Sequence, residues 1–326
     1  MDKPFSLLGV LFVLIPSVSA QPVAERVLPE RGYLPGASVK VVLNVPDTAF
    51  VSTLIEIPPQ GWEISNILSR YIDEAGFISM PLQASAKPRS IIYYVTPPSS
   101  ASGDYSFDGH IDGIATSGMT IVSPMAIEPI GIFENHIDLG SVEYNKTSYD
   151  SMSDVYTIEA GLSPDVFYHA HFLYRQVNGD CMIQCHGESH NLDPKTNYDT
   201  VVALGIHDDL RIDSPWFGVE RKHSGDLWYG WGVGCTNLQR GTQAAWPPFF
   251  DGGMRIERQG DAMRAYYYDL ELQEWAIVIE HTMYFEDPVY IGIQASCYEG
   301  NSSVGTFNEV VLTYESSSSI SYWEIY

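Results

Sequence analysis

The chain has 326 residues, 45% of them hydrophobic, and sets 17 Lys and Arg against 41 Asp and Glu, a formal charge of −24. That length suits two packed domains, and the apolar fraction excludes disorder for want of core-forming material. The charge excludes non-specific nucleic-acid binding and broad docking on anionic membranes, both of which draw on clustered Lys and Arg.

Residues 1–20, MDKPFSLLGVLFVLIPSVSA, have the organisation of a secretory signal. Lys3 precedes an apolar run from Leu7 to Ile15, and Val18, Ser19 and Ala20 offer a small-residue cleavage site before Gln21. The run is short for a bilayer span. The mature chain is therefore expected to be secreted, at the cell surface or in a periplasm, with no membrane insertion after cleavage.

Residues 21–126 read as a first β domain. In SVKVVLNV, Val39, Val41, Leu43 and Val45 fall on one wholly apolar face, which predicts the core side. FVSTLIEI, SIIYYVT, GDYSFDGHIDG and GMTIVSP supply further strands, separated by Pro58-Pro59-Gln60-Gly61 and Pro97-Pro98-Ser99-Ser100. Residues 70–77 suit one short helical turn, and Trp62 and Tyr93 are expected in the core. A connector is expected over 127–136, a longer β domain over 137–314, and a tail or linker over 315–326. The longer domain alternates short strand candidates with turns such as Asn178-Gly179-Asp180 and Gln259-Gly260-Asp261. With no long helical period anywhere, the fold class is all-β: a sandwich followed by a second sandwich or jelly roll. Residues 21–127 hold 6 basic and 10 acidic side chains (−4), and residues 128–326 hold 10 and 30 (−20). The second domain carries nearly all of the excess charge.

The segments DLGSVEY, YTIEAGLSPDVFYHAHFLYRQVNGD, ALGIH, MRIERQGDAMRAYYYDLELQEW, PVYIGIQASCYEG and FNEVVLTY follow one another over about residues 138–314. In order and spacing this domain resembles the concanavalin A-like lectin and glucanase superfamily, specifically its laminin-G-like group, which includes bacterial domains labelled regulation of enolase. LPERGYLPGASVKVVLNV, PPQGW and VTPPSSASGDYSFDG are similar to immunoglobulin-like modules of bacterial extracellular proteins. The resemblance implies an immunoglobulin-like sandwich followed by a concanavalin A-like jelly roll of two antiparallel sheets, one concave. It also implies a role in glycan binding or at the cell surface. Two departures stand out. The Glu-x-Asp-x-Glu triplet of the superfamily's enzymes has no counterpart, Asp269-Leu270-Glu271 being the nearest alternation. His207 stands where the family's central strand often ends in arginine.

Sugar recognition draws on aromatic platforms beside polar groups. In DLWYGWGVG, Trp228 shares a face with Gly230, Gly232 and Gly234, one ring beside a nearly bare backbone, with Trp216 and Trp246 in flanking segments. In AMRAYYYDL, Met263, Ala265 and Tyr267 are expected inward and Arg264, Tyr266 and Tyr268 outward. Core packing of these rings is the competing reading. Arg255 and Arg258, on opposite faces of their strand, suit internal salt bridges or an acidic ligand equally. No cofactor is required, but Asp208, Asp209 and Asp213 offer hard oxygen ligands for calcium. Zinc-like side chains at Cys181, Cys185, His186 and His190 alternate between strand faces and do not converge. His169 and His171 share a strand face and, if the next strand brings His186 beside them, form another histidine group able to take zinc adventitiously. Of the four cysteines, Cys181, Cys185, Cys235 and Cys297, the first two lie roughly 13 Å apart on an extended strand, too far for a disulfide. The other pairings, and free buried thiols, remain open. Asn145-Lys146-Thr147 and Asn301-Ser302-Ser303 match the N-glycosylation pattern.

Glycoside hydrolysis needs two carboxyls about 5–9.5 Å apart across a bond, and Glu257 and Glu280 are the strand-borne candidates. The expectation is a secreted, non-catalytic surface or matrix protein that binds an extracellular glycan or surface protein, carbohydrate preferred. The alternatives are a self-associating structural protein and a glycan-degrading hydrolase or lyase.

Overall fold

The computed structural model describes residues 24–47, 52–65, 67, 71–85, 87–140, 142–162, 170–191, 200–223, 226–233, 237–242, 250–297, 302–314 and 322–324. The signal segment, Trp246, His169, Cys235, Asn301 and most of the tail lie outside them. The described elements are strands, as the all-β expectation requires.

The first sandwich contains β1 (Glu25–Val27), β2 (Val39–Val45), β3 (Ser52–Ile57), β4 (Glu63–Ser65), β5 (Ile78–Leu82), β6 (Arg89–Thr96), β7 (Tyr105–Ser106), β8 (Asp108–Ile111), β9 (Ile114–Ala115), β10 (Ser117–Gly118) and β11 (Ile121–Val122). A five-stranded sheet in the order β10-β1-β2-β6-β4 faces a four-stranded sheet in the order β5-β3-β8-β9, and β11 pairs with β7. The alternation in β2 does what its pattern predicts: Val39, Val41, Leu43 and Val45 are all buried. They pack against Leu54, Ile78, Leu82, Tyr93 and Trp62 from the other strands and turns, so Trp62 and Tyr93 do belong to this core. Of the expected helical turn, Tyr71 is in 3₁₀ conformation, and residues 72–77 form a turn and bend instead of a helix. Asp73 Oδ1 accepts the amides of Ala75 and Phe77, and Gly76 takes a φ of 79°, so a carboxylate-capped turn competes successfully with the helix.

The second sandwich contains β12 (Asn135–Leu139), β13 (Val142–Asp150), β14 (Val155–Leu162), β15 (Ala170–Val177), β16 (Cys181–Asn191), β17 (Thr200–His207), β18 (Pro215–Lys222), β19 (Leu227–Val233), β20 (Asn237–Thr242), β21 (Phe250–Gln259), β22 (Ala262–Asp269), β23 (Glu274–Thr282), β24 (Val289–Cys297), β25 (Ser302–Tyr314) and β26 (Tyr322–Glu324). A seven-stranded sheet runs β12-β15-β24-β17-β18-β19-β20, and an eight-stranded sheet is built on β13-β14-β25-β16-β21-β22-β23, with β26 paired to β25. Their inner faces meet in one core. Leu173, Val202, Leu204, Phe217, Ile291 and Ile293 come from the first sheet, and Ile158, Ile183, Met254, Ile256, Ala265 and Phe307 from the second. Ile132 and Phe133, in the expected connector, are buried in that core. The Ile132 amide donates to the Tyr156 hydroxyl at 3.0 Å, and Phe133 packs edge-on against the Tyr156 ring.

The two sandwiches meet on the outer face of the seven-stranded sheet. Leu34 and Ala37 pack with Ile137, Leu139, Phe172, Tyr174, Leu210 and Tyr290. Around this seam the Ser38 amide donates to the Leu210 carbonyl, the Ile212 amide to the Ser38 hydroxyl, and Arg211 to both oxygens of Glu63 at 2.7 and 3.0 Å.

Candidate functional site

The expected ligand residues fall on two faces that point away from each other. Trp216 and Trp228 lie on the outer face of the seven-stranded sheet, and Arg264, Tyr266 and Tyr268 on the outer face of the eight-stranded sheet.

On the seven-stranded sheet the bare backbone seen in β19 extends further than one strand. Gly292, Gly205, Gly218 and Gly230 pair in register across β24, β17, β18 and β19. The row holds rings. A Cβ at Gly218 would meet the Trp216 ring, one at Gly205 the His207 imidazole, and one at Gly292 the Phe172 ring. Phe172 and His207 sit 4.7 Å apart between centroids, and Trp216 stacks on His207 at 6.2 Å and 20°. Trp216 is only 2% exposed. It is part of a packed layer, the core-like role, and not an open platform. Trp228 is half-buried, and Lys222 Nζ sits 3.5 Å from its ring centroid, so a cation already occupies one of its faces. Where the family pattern has arginine, His207 is buried with Nε2 3.4 Å from Gln294 Oε1, and burial holds its pKa down at about 4.

On the eight-stranded sheet, register assembles two parallel rows. Met182, Glu257, Arg264 and Glu280 form one, and Gln184, Arg255, Tyr266 and Ile277 the other; past a register shift in β21 between Phe250 and Met254, Tyr268 pairs with Trp275 and His186 with Gly253. Met263 and Ala265 point into the core, and Tyr267 packs against it, as the alternation of β22 predicts. The register slip between Ala265 and Tyr266 against β23 sets Trp275 opposite Tyr268 and exposes Ile277 by 50%.

The side chains of this face hold one another. Tyr268 meets Trp275 edge-on at 5.4 Å. The Arg255 guanidinium lies 4.2 Å from the Trp275 centroid and 5.9 Å from that of Tyr266. Its Nε and Nη2 both donate to Gln184 Oε1, at 3.1 and 2.6 Å. The Tyr266 hydroxyl donates to Glu257 at 2.8 Å, and burial with that carboxylate pushes its pKa up to about 12. Arg264 pairs with Glu280 at 2.7 Å and also donates to Gln259. Tyr266, Tyr268, Trp275, Arg255, Arg264, Gln184 and Glu257 are half-buried, whereas Gln259 and Glu280 are exposed. Trp275, Gln184 and the stacked position of Arg255 were not marked as site features by the sequence. Only the pairing of β16, β21, β22 and β23 brings them together.

The arginines separate by role. Arg258, buried on the inner face, pairs with Asp287 at 2.6 Å and donates to the Phe285 carbonyl, an internal bridge. Arg264 is paired. Arg255 makes no ion pair with any described carboxylate, although Glu257 acts on it from longer range.

The three aspartates of the calcium expectation do not share a centre. Asp208 accepts the Glu286 amide, Asp209 accepts the Arg211 amide, and Asp213 is bound to the Arg211 guanidinium at 3.0 Å. Burial pushes the Asp208 and Asp209 carboxyls up. Among the described residues, no three His, Cys, Asp or Glu side chains converge in a metal-holding group. His171 and His186 are also apart: His171 is buried in the seven-stranded sheet, 2.6 Å from Asp138, while His186 is on the outer side of the other sheet. Cys181 and Cys185 are free thiols on the core side of β16, whose opposite side carries His186 and His190. No helix of the described residues is long and apolar enough to cross a membrane.

No family model and no curated protein matches the sequence, so the laminin-G-like and immunoglobulin-like resemblances rest on the sequence segments themselves. Among solved structures, a Saccharomyces cerevisiae protein of unknown function is similar over 55% of this chain and 96% of its own, at 14% identity and a TM-score of 0.41. A basic winged bean lectin with Tn-antigen is similar over 52% of this chain and 97% of its own, at 10% identity and a TM-score of 0.29.

Proposed function

We propose that this chain is an extracellular, non-catalytic carbohydrate-binding protein whose ligand platform is the outer face of the eight-stranded sheet. The observation that supports it is the Trp275, Tyr268, Tyr266 and Arg255 cluster, half-exposed and fixed from beneath. A sugar presents apolar C–H faces and a rim of hydroxyls. Aromatic rings receive the first, while Glu257, Arg255 and Gln184 meet the second. Because these groups are held before a ligand arrives, little further ordering is needed on binding. Glu257 and Glu280 flank Arg264 two strand spacings apart, about 10 Å between backbones. Each already serves a fixed donor, Tyr266 or Arg264, so no hydrolytic step is assigned to them.

Self-association is the second reading, favoured by one observation. Leu270, Leu272, Ile277 and Tyr284, at 45%, 61%, 50% and 72% exposure, lie on or beside the β22–β23 hairpin next to the platform. A glycan array with the mature chain and a Trp275→Ala variant, run beside light scattering, separates the two. A reproducible glycan signal lost in the variant supports the platform. A silent array with a monodisperse oligomer overturns it in favour of assembly.

A further inference from the structure

Building on the platform reading, we infer that the site selects a sugar bearing a single carboxylate, and that Arg255 is its receptor. In a domain with 30 acidic side chains, most of the arginines on these strands have found a carboxylate: Arg258 has Asp287, and Arg264 has Glu280. Arg255 instead rests on two rings and a neutral amide. Partial burial lowers its pKa, so the desolvation of its charge is not fully offset by the surrounding protein. Its Nη1 makes no hydrogen bond, whereas Nε and Nη2 are anchored on Gln184. A guanidinium fixed at one edge and free at the other is set up to take an anionic oxygen by a charge-assisted hydrogen bond.

Charge placement limits the class of ligand. The carboxylates in the rows nearest Arg255, Glu257 and Glu280, flank Arg264, while Glu188 stands further off on β16, 3.9 Å from His186 Nε2. On the opposite side of Arg255 lie the paired Tyr268 and Trp275, and there a sugar ring can stack while its carboxylate reaches Nη1. A long polyanion would meet the field of a domain at −20 and be repelled along its length. One isolated acid among neutral hydroxyls avoids that repulsion. Its chemistry is that of a uronic acid or of a terminal nonulosonic (sialic) acid.

The mature chain is titrated with two matched pairs by calorimetry or ligand-observed NMR: galacturonate against its methyl ester, and sialyllactose against lactose. The acid of at least one pair is expected to bind about tenfold tighter than its neutral partner, and the preference to weaken with salt. Which pair responds identifies the source of the carboxylate. Arg255→Gln should abolish the preference, and Arg255→Lys should restore part of it. Equal binding of acid and neutral forms, or a preference that survives Arg255→Gln, overturns the acid assignment and leaves the carbohydrate reading standing. Binding of neutral glycans and not of acidic ones, on an array that carries both, does the same. No binding to any glycan removes both.

Discussion

Arg26 and Glu56 form a fully buried ion pair across the first sandwich, Nε to Oε1 at 2.6 Å and Nη2 to Oε2 at 2.8 Å. The pair links β1 of one sheet to β3 of the other. Its remaining capacity is taken up locally: Tyr93 donates to Glu56 at 2.9 Å, and Arg26 donates to the Thr116 hydroxyl at 2.8 Å and to the Phe107 and Met119 carbonyls. Gly109 makes room for it, since a Cβ there would run into Glu56 Oε2 and Arg26 Nη2. Removing one partner strands a desolvated charge, so Glu56→Gln or Arg26→Met should each cost about 3–5 kcal/mol in denaturant unfolding of the first domain. The double variant Arg26→Met/Glu56→Leu should recover most of that loss. A double variant as unstable as the sum of the singles would show that the pair's worth is not the relief of mutual desolvation.

The platform predicts a loss of binding without a loss of fold. Trp275 contacts both Tyr268 and Arg255, and the two rings lie outside the core of the second sandwich. Trp275→Ala should weaken glycan binding by about tenfold or more, in the range expected of an aromatic contact residue. The melting temperature should stay within about 2 °C of the parent, since surface substitutions alter stability by roughly 0.5 kcal/mol. A variant that melts normally and binds normally removes Trp275 from the site.

Legibility divides along the same line as these two features. The strands, their inward faces and the outward placement of Arg264, Tyr266 and Tyr268 follow from a period of two, which is local and visible in one chain segment. Trp275 joins them through a register slip between β22 and β23, which no single segment records. The Arg26–Glu56 pair is 30 residues apart in sequence and nothing in a −4 domain marks it. Trp216 shows the converse: its ring lies flat because Gly218 beneath it has no side chain, a cross-row relation within one strand that composition does not weigh. The acidic loop at Asp208–Asp213 has the composition of a calcium loop, yet its carboxylates cap amides and hold Arg211.

That loop yields a prediction about metal. With Asp208, Asp209 and Asp213 each committed, neither added calcium nor a chelator should shift the melting temperature of the mature chain. The Arg211–Glu63 bridge should matter instead, as part of the seam with the Ser38 and Ile212 contacts. Glu63→Gln should cost no more than about 1 kcal/mol in global stability, as befits a partly exposed pair. It should nevertheless speed hydrogen exchange at the Ile212 amide. A calcium-dependent rise in melting temperature that disappears in Asp213→Asn would overturn this account.

The thiols of Cys181 and Cys185 sit at 4% and 3% exposure on the core side of β16. Burial pushes the Cys181 pKa up to about 12 and that of Cys185 higher still, so neither forms the reactive thiolate near neutral pH. An exposed-thiol reagent should leave both unmodified in the native chain and label both once it is unfolded, as mapped by peptide mass spectrometry. Native labelling at either position would contradict the packing of β16.

Two histidines give the fold an acid limit. His136 stands at the seam, its Nδ1 2.9 Å from both Arg31 Nη1 and His171 Nε2, and its Nε2 3.4 Å from Glu128. Arg31 can only donate, so Nδ1 is an acceptor and the proton of His136 lies on Nε2, toward Glu128. Burial, His171 and Arg31 hold its pKa down at about 4, and burial alone does the same for His207. In the unfolded chain both titrate near 6.5, so between pH 6.5 and about 4 the unfolded state binds more protons than the folded one. Stability should therefore fall as pH drops through that window and level off, for these groups, below it. His136→Asn keeps an acceptor near the Nδ1 position without a titrating ring, and His207→Gln removes the second titration. Urea unfolding at a series of pH values should show a shallower acid slope in each variant and the shallowest in the double variant. An unchanged slope in the double variant would place the acid sensitivity on the carboxylates instead.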